Sequence, residues 1–154
     1  MKIINNQNYY TDKQLLKVVK LLGKKYEPSK LIIVENRFNL LSTLIHCDFM
    51  LAMYQLFNVP IWSGKIEGIY NELSDVAIVY IFSENDDGEN LQSKQLYSLH
   101  ALTHELRHRW QKQTNYQGDV EKDADYFATE FINKKSATIS KIMNWEDEWE
   151  VEEE

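Results

Sequence analysis

Cysteine, proline and glycine are scarce in this chain of 154 residues, which contains one, two and five of them, respectively. Because Cys47 is the only cysteine, no disulfide can form within the chain, and a reducing compartment is favoured. The low glycine and proline content argues against a loop-rich or low-complexity chain. Hydrophobic residues at 44% and charged residues at 27% are ordinary for a globular protein, so we expect a single domain over residues 1–143.

Long apolar runs and an excess of basic residues are also missing. No run of eighteen apolar residues occurs, so no membrane-spanning helix is expected. The first six residues, MKIINN, do not form the apolar core of a signal peptide, and we therefore expect a cytoplasmic protein. The net charge of −7 disfavours direct nucleic-acid binding, because contact with phosphates requires a basic surface.

Hydrophobic periodicity predicts an α+β fold. We expect one helix between Thr11 and Gly23 and a second, buried helix over the mostly apolar residues 39–57. Short runs rich in β-branched residues predict about three strands, at residues 31–35, 65–70 and 76–82. The last of these has the strongest strand pattern and is our candidate for the edge of the sheet. An acidic, solvated loop at residues 83–90 follows it, and two further helices complete the C-terminal part.

The C-terminal tail, residues 144–154, is strongly acidic and carries two tryptophans one helical turn apart. Such a composition is typical of disorder or of a weakly helical segment. Trp145 and Trp149 provide an alternative, in which the tail docks on this domain or on a partner. The sequence leaves both interpretations open.

The segment His104-Glu105-Leu106-Arg107-His108 has the pattern H-E-x-x-H. On a helix, residues four apart lie on one face, so the two imidazoles can bind one Zn²⁺ and the intervening Glu105 can reach a water there. An apolar stripe with three- and four-residue spacing supports the helix and lies roughly opposite the histidines: Leu99, Leu102, Leu106 and Trp110. The alternative is an ordinary amphipathic helix with two solvated histidines.

A second helix is predicted to follow the polar turn at residues 113–119, with Asp119 as its N-cap. Glu121 lies in the first turn of this helix, thirteen residues after His108. It would be a third protein ligand and would leave one coordination position open, as in catalytic zinc sites. An acidic first turn on a solvated helix is the alternative explanation for this residue.

Three further residues share the face of Glu121 on this second helix. Ala124 and Ala128 have small side chains, which would let the two helices approach closely enough for Glu121 to reach the metal. Asp125, one turn after Glu121, could accept the outer hydrogen bond of a ligating histidine.

Together, His104-Glu105-x-x-His108 and Glu121-x-x-Ala124-Asp125-x-Phe127-Ala128 resemble the zinc-peptidase domain of the ImmA/IrrE family, within the gluzincin-like zincins. The resemblance covers roughly residues 96–132. It implies a small zincin-like α+β domain, in which N-terminal helices and a small sheet pack on the H-E-x-x-H helix and the following third-ligand helix. It also implies that His104, His108 and Glu121 bind one zinc ion and that Glu105 is the catalytic base.

Members of the ImmA/IrrE family are commonly small proteins of phages and mobile elements, and some act on DNA-binding repressors. The resemblance therefore implies a protein or peptide substrate, with a DNA-binding regulator as one candidate. Family members often carry a helix-turn-helix module, which we do not find in this sequence.

The predicted function is zinc-dependent hydrolysis of a peptide bond in a protein substrate. An extended peptide would bind along an edge strand of the sheet. Three residues are candidates for lining the pocket or stabilising the oxyanion: His100, Tyr116 and Tyr126. The alternatives are a catalytically silent zincin-fold protein that binds a partner and a helical interaction protein with an accidental motif. The presence of Glu105 favours the enzyme, because a protein that only binds a partner does not need a catalytic base.

Overall fold

A computed structural model describes residues 1–81 and 90–151, and these ranges contain four β-strands and six α-helices. The strands are β1 (Lys2–Asn6), β2 (Lys30–Val34), β3 (Gly68–Asn71) and β4 (Val76–Tyr80). The helices are α1 (Asp12–Leu22), α2 (Arg37–Thr43), α3 (Phe49–Phe57), α4 (Val59–Trp62), α5 (Leu91–Thr114) and α6 (Val120–Met143). Short 3₁₀ turns occur at Lys24–Tyr26 and Leu44–His46. The predicted mixed α+β class is confirmed.

The four strands form one sheet in the order β1-β2-β4-β3. The first three are parallel, and β3 runs antiparallel to β4, with Gly68 opposite Val79. The prediction that the 76–82 strand lies at the edge is therefore wrong. All five residues of β4 are buried, which is the pattern of a strand covered on both faces. An edge strand more often combines buried and exposed residues. Phe82 and the predicted loop at 83–89 lie outside the described residues.

Helices cover both faces of the sheet. Alternate residues of the central strands, such as Leu31 and Ala77, face a core shared with α1, α5 and α6. Their neighbours, such as Ile32 and Ile78, face a second core, to which α2, α3 and α4 each contribute one buried aliphatic residue. The expectation that all N-terminal helices pack on the H-E-x-x-H helix is therefore wrong for α2–α4. The alternation of side chains along a strand places these helices on the opposite side of the sheet.

The apolar segment at residues 39–57 is not one buried helix. A 3₁₀ turn follows α2 and ends it. Asp48 is the N-cap of α3, and its side chain accepts a hydrogen bond from the backbone N–H of Leu51 (2.8 Å). Each short helix buries only its side towards the sheet. As a result, Phe38, Phe49 and Phe57 are 84%, 75% and 71% exposed. No helix in the described ranges has both the length and the hydropathy needed to cross a membrane.

The start of the acidic tail packs on the domain. Asn144 ends α6 in the left-handed conformation, with φ of 61°. The indole of Trp145 is buried and donates a hydrogen bond from Nε1 to Oε1 of Gln95 on α5 (2.6 Å). The backbone of Val151 exchanges two hydrogen bonds with the side chain of Asn133 (2.7 and 3.0 Å). Of the two interpretations of the tail, docking on this domain is observed for Trp145.

Asp75, in the turn between β3 and β4, joins three parts of the fold. Its carboxylate accepts hydrogen bonds from Nε of Arg109 on α5 (2.8 Å), from the backbone N–H and hydroxyl of Ser29 (2.9 and 2.7 Å), and from the Tyr70 hydroxyl (2.9 Å). Partial burial alone would raise the pKa of Asp75. The hydrogen bonds from Arg109, Ser29 and Tyr70 outweigh that effect and lower the pKa to about 2.

We expect Asp75→Asn to reduce the free energy of unfolding by about 1–2 kcal/mol at neutral pH. The folded-state pKa lies below the unfolded value of about 3.9, so this contribution is complete above about pH 5 and is lost as the pH falls towards 2. Asparagine tolerates the φ of 49° at this position, so the change removes charge without adding backbone strain. Urea unfolding of both proteins between pH 7 and 2 measures the difference, and a difference independent of pH would contradict this assignment.

Candidate metal centre

The candidate site lies between α5 and α6, on the side of the sheet that they share. The predicted polar turn joins them, with Asn115 ending α5 in the left-handed conformation. Asp119 is the N-cap of α6, as predicted, and its side chain accepts from the backbone N–H of Lys122. Ala124 and Ala128 on α6 are fully buried. Small side chains at these positions allow a close approach of the two helices.

Three ligand atoms converge at this interface. The Nε2 atoms of His104 and His108 are 3.0 Å apart, and the Glu121 carboxylate oxygens lie 3.4 Å from the first and 3.7 Å from the second. All three donors lie within 4.8 Å of one another. A tetrahedral ion bound at 2.0–2.2 Å would hold its ligand atoms about 3.3–3.6 Å apart. The spacing of the three donors therefore fits a single tetrahedral metal ion.

The hydrogen bond of His104 to Asp125 fixes its tautomer. Nδ1 of His104 lies 2.7 Å from Oδ1 of Asp125. An ionised carboxylate only accepts, so Nδ1 of His104 carries the proton and Nε2 presents a lone pair to the other donors. Asp125 thus occupies the outer position predicted for it from the sequence.

Gln111 fixes the tautomer of His108 through a hydrogen bond that was not predicted from the sequence. The amide nitrogen of Gln111 donates to the backbone oxygen of Val120 (2.7 Å) and to Oδ2 of Asp123 (2.7 Å). Its oxygen is therefore fixed as the acceptor for Nδ1 of His108, at 2.8 Å. Nε2 of His108 must then also present a lone pair. The three-residue spacing of His108 and Gln111 on one helix was the available sequence indication.

These two tautomers determine which atoms of His104 and His108 can bind a metal ion. When both imidazoles are neutral, their two lone pairs and the carboxylate of Glu121 converge, and none of the three groups donates a hydrogen bond to another. Such a group of electron-pair donors is stabilised by a cation between them or by a proton on one imidazole. Two imidazoles and one carboxylate form a donor set that suits divalent transition metals. His104, His108 and Glu121 could hold such an ion.

Arg107, a variable position of the motif, holds α6 against α5. Its guanidinium makes two hydrogen bonds to the carboxylate of Asp123 (2.7 and 3.0 Å) and donates to the Tyr26 hydroxyl (2.9 Å). It also lies over the rings of Trp110 and Phe127, 3.7 and 4.4 Å from their centroids. The hydrogen bond from Arg107 lowers the pKa of Asp123. Asp123 is therefore ionised where it accepts from Gln111, and it supports the outer contact of His108.

Glu105 lies on the inner side of the site, against the edge strand β3. Its side chain is only 7% exposed, and its carboxylate accepts a hydrogen bond from the backbone N–H of Tyr70. A Cβ atom at Gly68 would lie 2.7 Å from Oε1 and 2.8 Å from Cδ of Glu105, so only glycine leaves room for this carboxyl group. Burial, followed by the nearby charge of Glu121, raises the pKa of Glu105 to about 8.

The edge strand β3 lies beside Glu105. The backbone oxygen of Glu67 accepts from the N–H of Tyr80 (2.8 Å), so Glu67 faces β4. In an antiparallel pair the direction of the backbone groups alternates, and Gly68 and Tyr70 therefore present theirs away from β4. The edge strand next to the candidate site is thus β3, in place of the predicted 76–82 strand.

The three pocket candidates occupy different places. His100 lies between the helices, with Nε2 3.1 Å from the hydroxyl of Thr129, and burial together with nearby His104 lowers its pKa. Tyr116 packs over Gly118, with its ring 6.2 Å from that of Trp110. The side chain of Tyr126 is 69% exposed. His100 is therefore the one that these contacts place near a donor residue.

If Asp125 and Gln111 fix the histidine tautomers, Asp125→Asn and Gln111→Leu should each weaken zinc binding by about 10- to 100-fold. Asparagine replaces a charged acceptor by a neutral amide oxygen and so weakens the hydrogen bond from Nδ1–H, whereas leucine offers no acceptor at all. Competition titration with a zinc chelator measures the affinity. Gln117→Leu, a change at an exposed glutamine in the turn, is the matched control and should bind like the parent. Equal affinity in all three variants would contradict the assignment.

Comparison with protein-family models, with curated proteins and with solved structures finds no match to this chain. The resemblance to ImmA/IrrE peptidases therefore stays a prediction from the motif. The case for the site rests on its own geometry, which places His104, His108 and Glu121 around one position with Glu105 close by.

Proposed function

We propose that this chain is a zinc-dependent metallopeptidase that hydrolyses a peptide bond in a protein substrate. The observation that carries the proposal is the convergence of two imidazole lone pairs and the Glu121 carboxylate, with the buried carboxyl group of Glu105 close by. A structural zinc site is closed by four protein ligands, whereas three ligands leave a position for substrate. The three donors found among residues 1–81 and 90–151 follow the second pattern.

Zinc is the proposed metal because its borderline character suits a mixed set of imidazole and carboxylate ligands in tetrahedral geometry. When bound, the ion supplies Lewis-acid polarisation of the scissile carbonyl and acidifies a water molecule. The side chains of His104 and His108 are 16% and 18% exposed, whereas that of Glu121 is 69% exposed. The site is therefore enclosed on the α5 side and reachable from the α6 side.

Glu105 is the proposed general base. A divalent cation bound beside it would oppose the burial and the Glu121 charge that raise its pKa, and would favour the carboxylate form that a base requires. Glu105 would take a proton from the attacking water as the oxygen–carbon bond forms. It would then deliver that proton to the leaving amine as the carbon–nitrogen bond breaks, so that it ends in its starting state. The hydrogen bond from the Tyr70 N–H holds the carboxylate in place, and Gly68 leaves the space for it.

The proposed substrate site is the open edge of β3. The outward N–H and oxygen of Gly68 and the outward oxygen of Tyr70 would pair with an extended peptide, which would then lie between β3 and the donor residues. The N–H of Tyr70 is already bonded to Glu105. This mode of binding favours a protein segment that is extended or locally unfolded. A DNA-binding regulator is the candidate that follows from the motif resemblance.

The test of this proposal is a proteome-wide search for new protein termini in host cells that produce either the parent protein or Glu105→Gln. We expect termini that are present with the parent and absent with the variant, because glutamine keeps the shape of the side chain and removes its basicity. Identical termini in both, with the protein expressed and loaded with metal, would contradict the peptidase and favour a silent zincin-fold binder.

A further inference from the structure

The layer formed by α2, α3 and α4 has an apolar outer surface. Its inner side packs on the sheet through Leu40, Leu51 and Ile61, which are buried. Nine large apolar side chains of the same layer are exposed: Phe38, Leu41, Ile45, Phe49, Met50, Tyr54, Leu56, Phe57 and Val59. Since all nine belong to one layer on one side of the sheet, we treat them as one surface, called here the apolar face.

The apolar face has the area of a protein interface. At about 150–250 Å² for an aromatic and about 100 Å² for an aliphatic side chain, the exposed fractions amount to roughly 700–1,000 Å². The largest apolar patch of a typical monomer is about 300–600 Å². A stable interface buries about 800 Å² on each partner. The face therefore matches one side of a stable dimer and exceeds what a monomer usually leaves in water.

The apolar face is also almost free of charge. From residue 38 to residue 64 the only lysine, arginine, aspartate or glutamate is Asp48, in a chain of net charge −7. The carboxylate of Asp48 is occupied as the N-cap of α3. Two copies that met through any strongly acidic surface would repel each other, whereas this face can meet itself without bringing like charges together.

Phenylalanines occupy both ends of α3, at equal distances from its central residue, Met53. Phe49, Met53 and Phe57 stand four residues apart, so they line one side of the helix. Leu51 and Gln55, on the other side, are buried. In an antiparallel pair of α3 helices with a two-fold axis at Met53, each Phe49 would lie opposite Phe57 of the partner subunit. This self-matching pattern is what an isologous interface requires.

We propose that the apolar face binds a second copy of this chain, in a two-fold dimer with α3 packed against α3. The metal centre lies with α5 and α6 on the opposite side of the sheet, so the dimer leaves the candidate site open. The proposal is therefore independent of the proposed function, and either can fail without the other.

Charge substitutions at the two phenylalanines test the pairing. In sedimentation velocity at micromolar concentrations, the parent should be a dimer. Phe49→Glu places a negative charge near the N-terminus of α3 and Phe57→Lys a positive charge at its C-terminus, so neither charge opposes the helix dipole. Each change should raise the Kd of the dimer by at least about 30-fold. Combining them should recover part of the affinity, because each new glutamate would face a new lysine of the partner subunit. Leu73→Glu, at a residue that is 92% exposed outside the face, should remain dimeric.

A cross-linking experiment tests the position of the two-fold axis and does not depend on the folding of charged variants. In a Cys47→Ser background, Met53→Cys should form a disulfide-linked dimer under mild oxidation, and Leu73→Cys should form little. A monomeric parent at all concentrations would overturn the proposal and assign the face to a different partner. A dimer that either single charge substitution leaves at the parent affinity, or that does not cross-link at Met53, would also overturn it.

Discussion

Glu105→Gln is expected to abolish turnover while leaving the fold and the metal site intact. Glutamine has the same length and keeps a hydrogen-bonding oxygen, but it cannot accept the proton of the attacking water. Loss of a general base typically costs about 10²–10⁴-fold in rate. Removing a buried carboxyl group whose pKa is raised to about 8 should not lower the free energy of unfolding. Cleavage rate, zinc affinity and thermal midpoint, measured on the same preparations, provide the three readouts.

The matched control for Glu105→Gln is Glu130→Gln, a change of the same kind on α6 outside the donor set. It should cleave the substrate at the parent rate. A Glu105→Gln protein that still cleaves at more than about a tenth of the parent rate would rule out Glu105 as the base. A variant that loses zinc together with activity would instead assign Glu105 a role in holding the site.

Gly68→Ala should also strongly reduce turnover, although residue 68 bears no reactive group. The new Cβ would lie less than 3 Å from Oε1 and Cδ of Glu105, so the carboxyl group has to move. A displacement of about 1 Å in a catalytic group can cost about 10²-fold in rate. The three candidate ligands lie on α5 and α6 and not on β3, and zinc affinity should therefore stay within a few-fold of the parent value.

Ile69→Val is the control for Gly68→Ala on the same strand. The side chain of Ile69 packs on the other face of the sheet, against the core that α2–α4 cover. This variant should keep its activity, since a small loss of core volume leaves β3 in place. If Gly68→Ala keeps full activity as well, Glu105 does not need its position against β3, and the proposed role of this strand in the site is wrong.

The three candidate ligands were predictable from sequence because the geometry that joins them is mostly local. Helical spacing alone brings His104 and His108 onto one face of α5. Glu121 follows after one turn whose length and N-cap, Asp119, are readable from residue types. Asp125 lies one helical turn beyond Glu121, so its contact with His104 follows from the same docking of α6 on α5.

The parts that were not predictable depend on contacts between distant segments. The role of Gly68 requires that β3 lie beside α5, and no pattern near residue 68 indicates this. The outer partner of His108 was missed because the orientation of the Gln111 amide is set by Val120 and Asp123 on another helix. The edge of the sheet was assigned to the wrong strand because the apolar run of β4 does not by itself reveal its neighbours.

The apolar segment at residues 39–57 was predicted to be buried for a related reason. Hydropathy measures the preference of a segment for an apolar environment and does not tell which molecule provides it. Here the sheet covers only one side of α2 and α3, and Phe38, Phe49 and Phe57 are left on the outside. If the proposed dimer forms, the predicted burial is correct for the assembly, whereas the prediction of one continuous helix is wrong in either case.

The most direct test of the metal centre is the zinc content of the protein purified without added metal or chelator. Elemental analysis should find about one zinc ion per chain, and His104→Ala and Glu121→Ala should each remove most of it. His46→Ala, which changes a histidine outside the donor set, should retain the ion. Less than about a tenth of an equivalent in the parent, with no uptake when zinc is added, would contradict the site and with it the proposed chemistry.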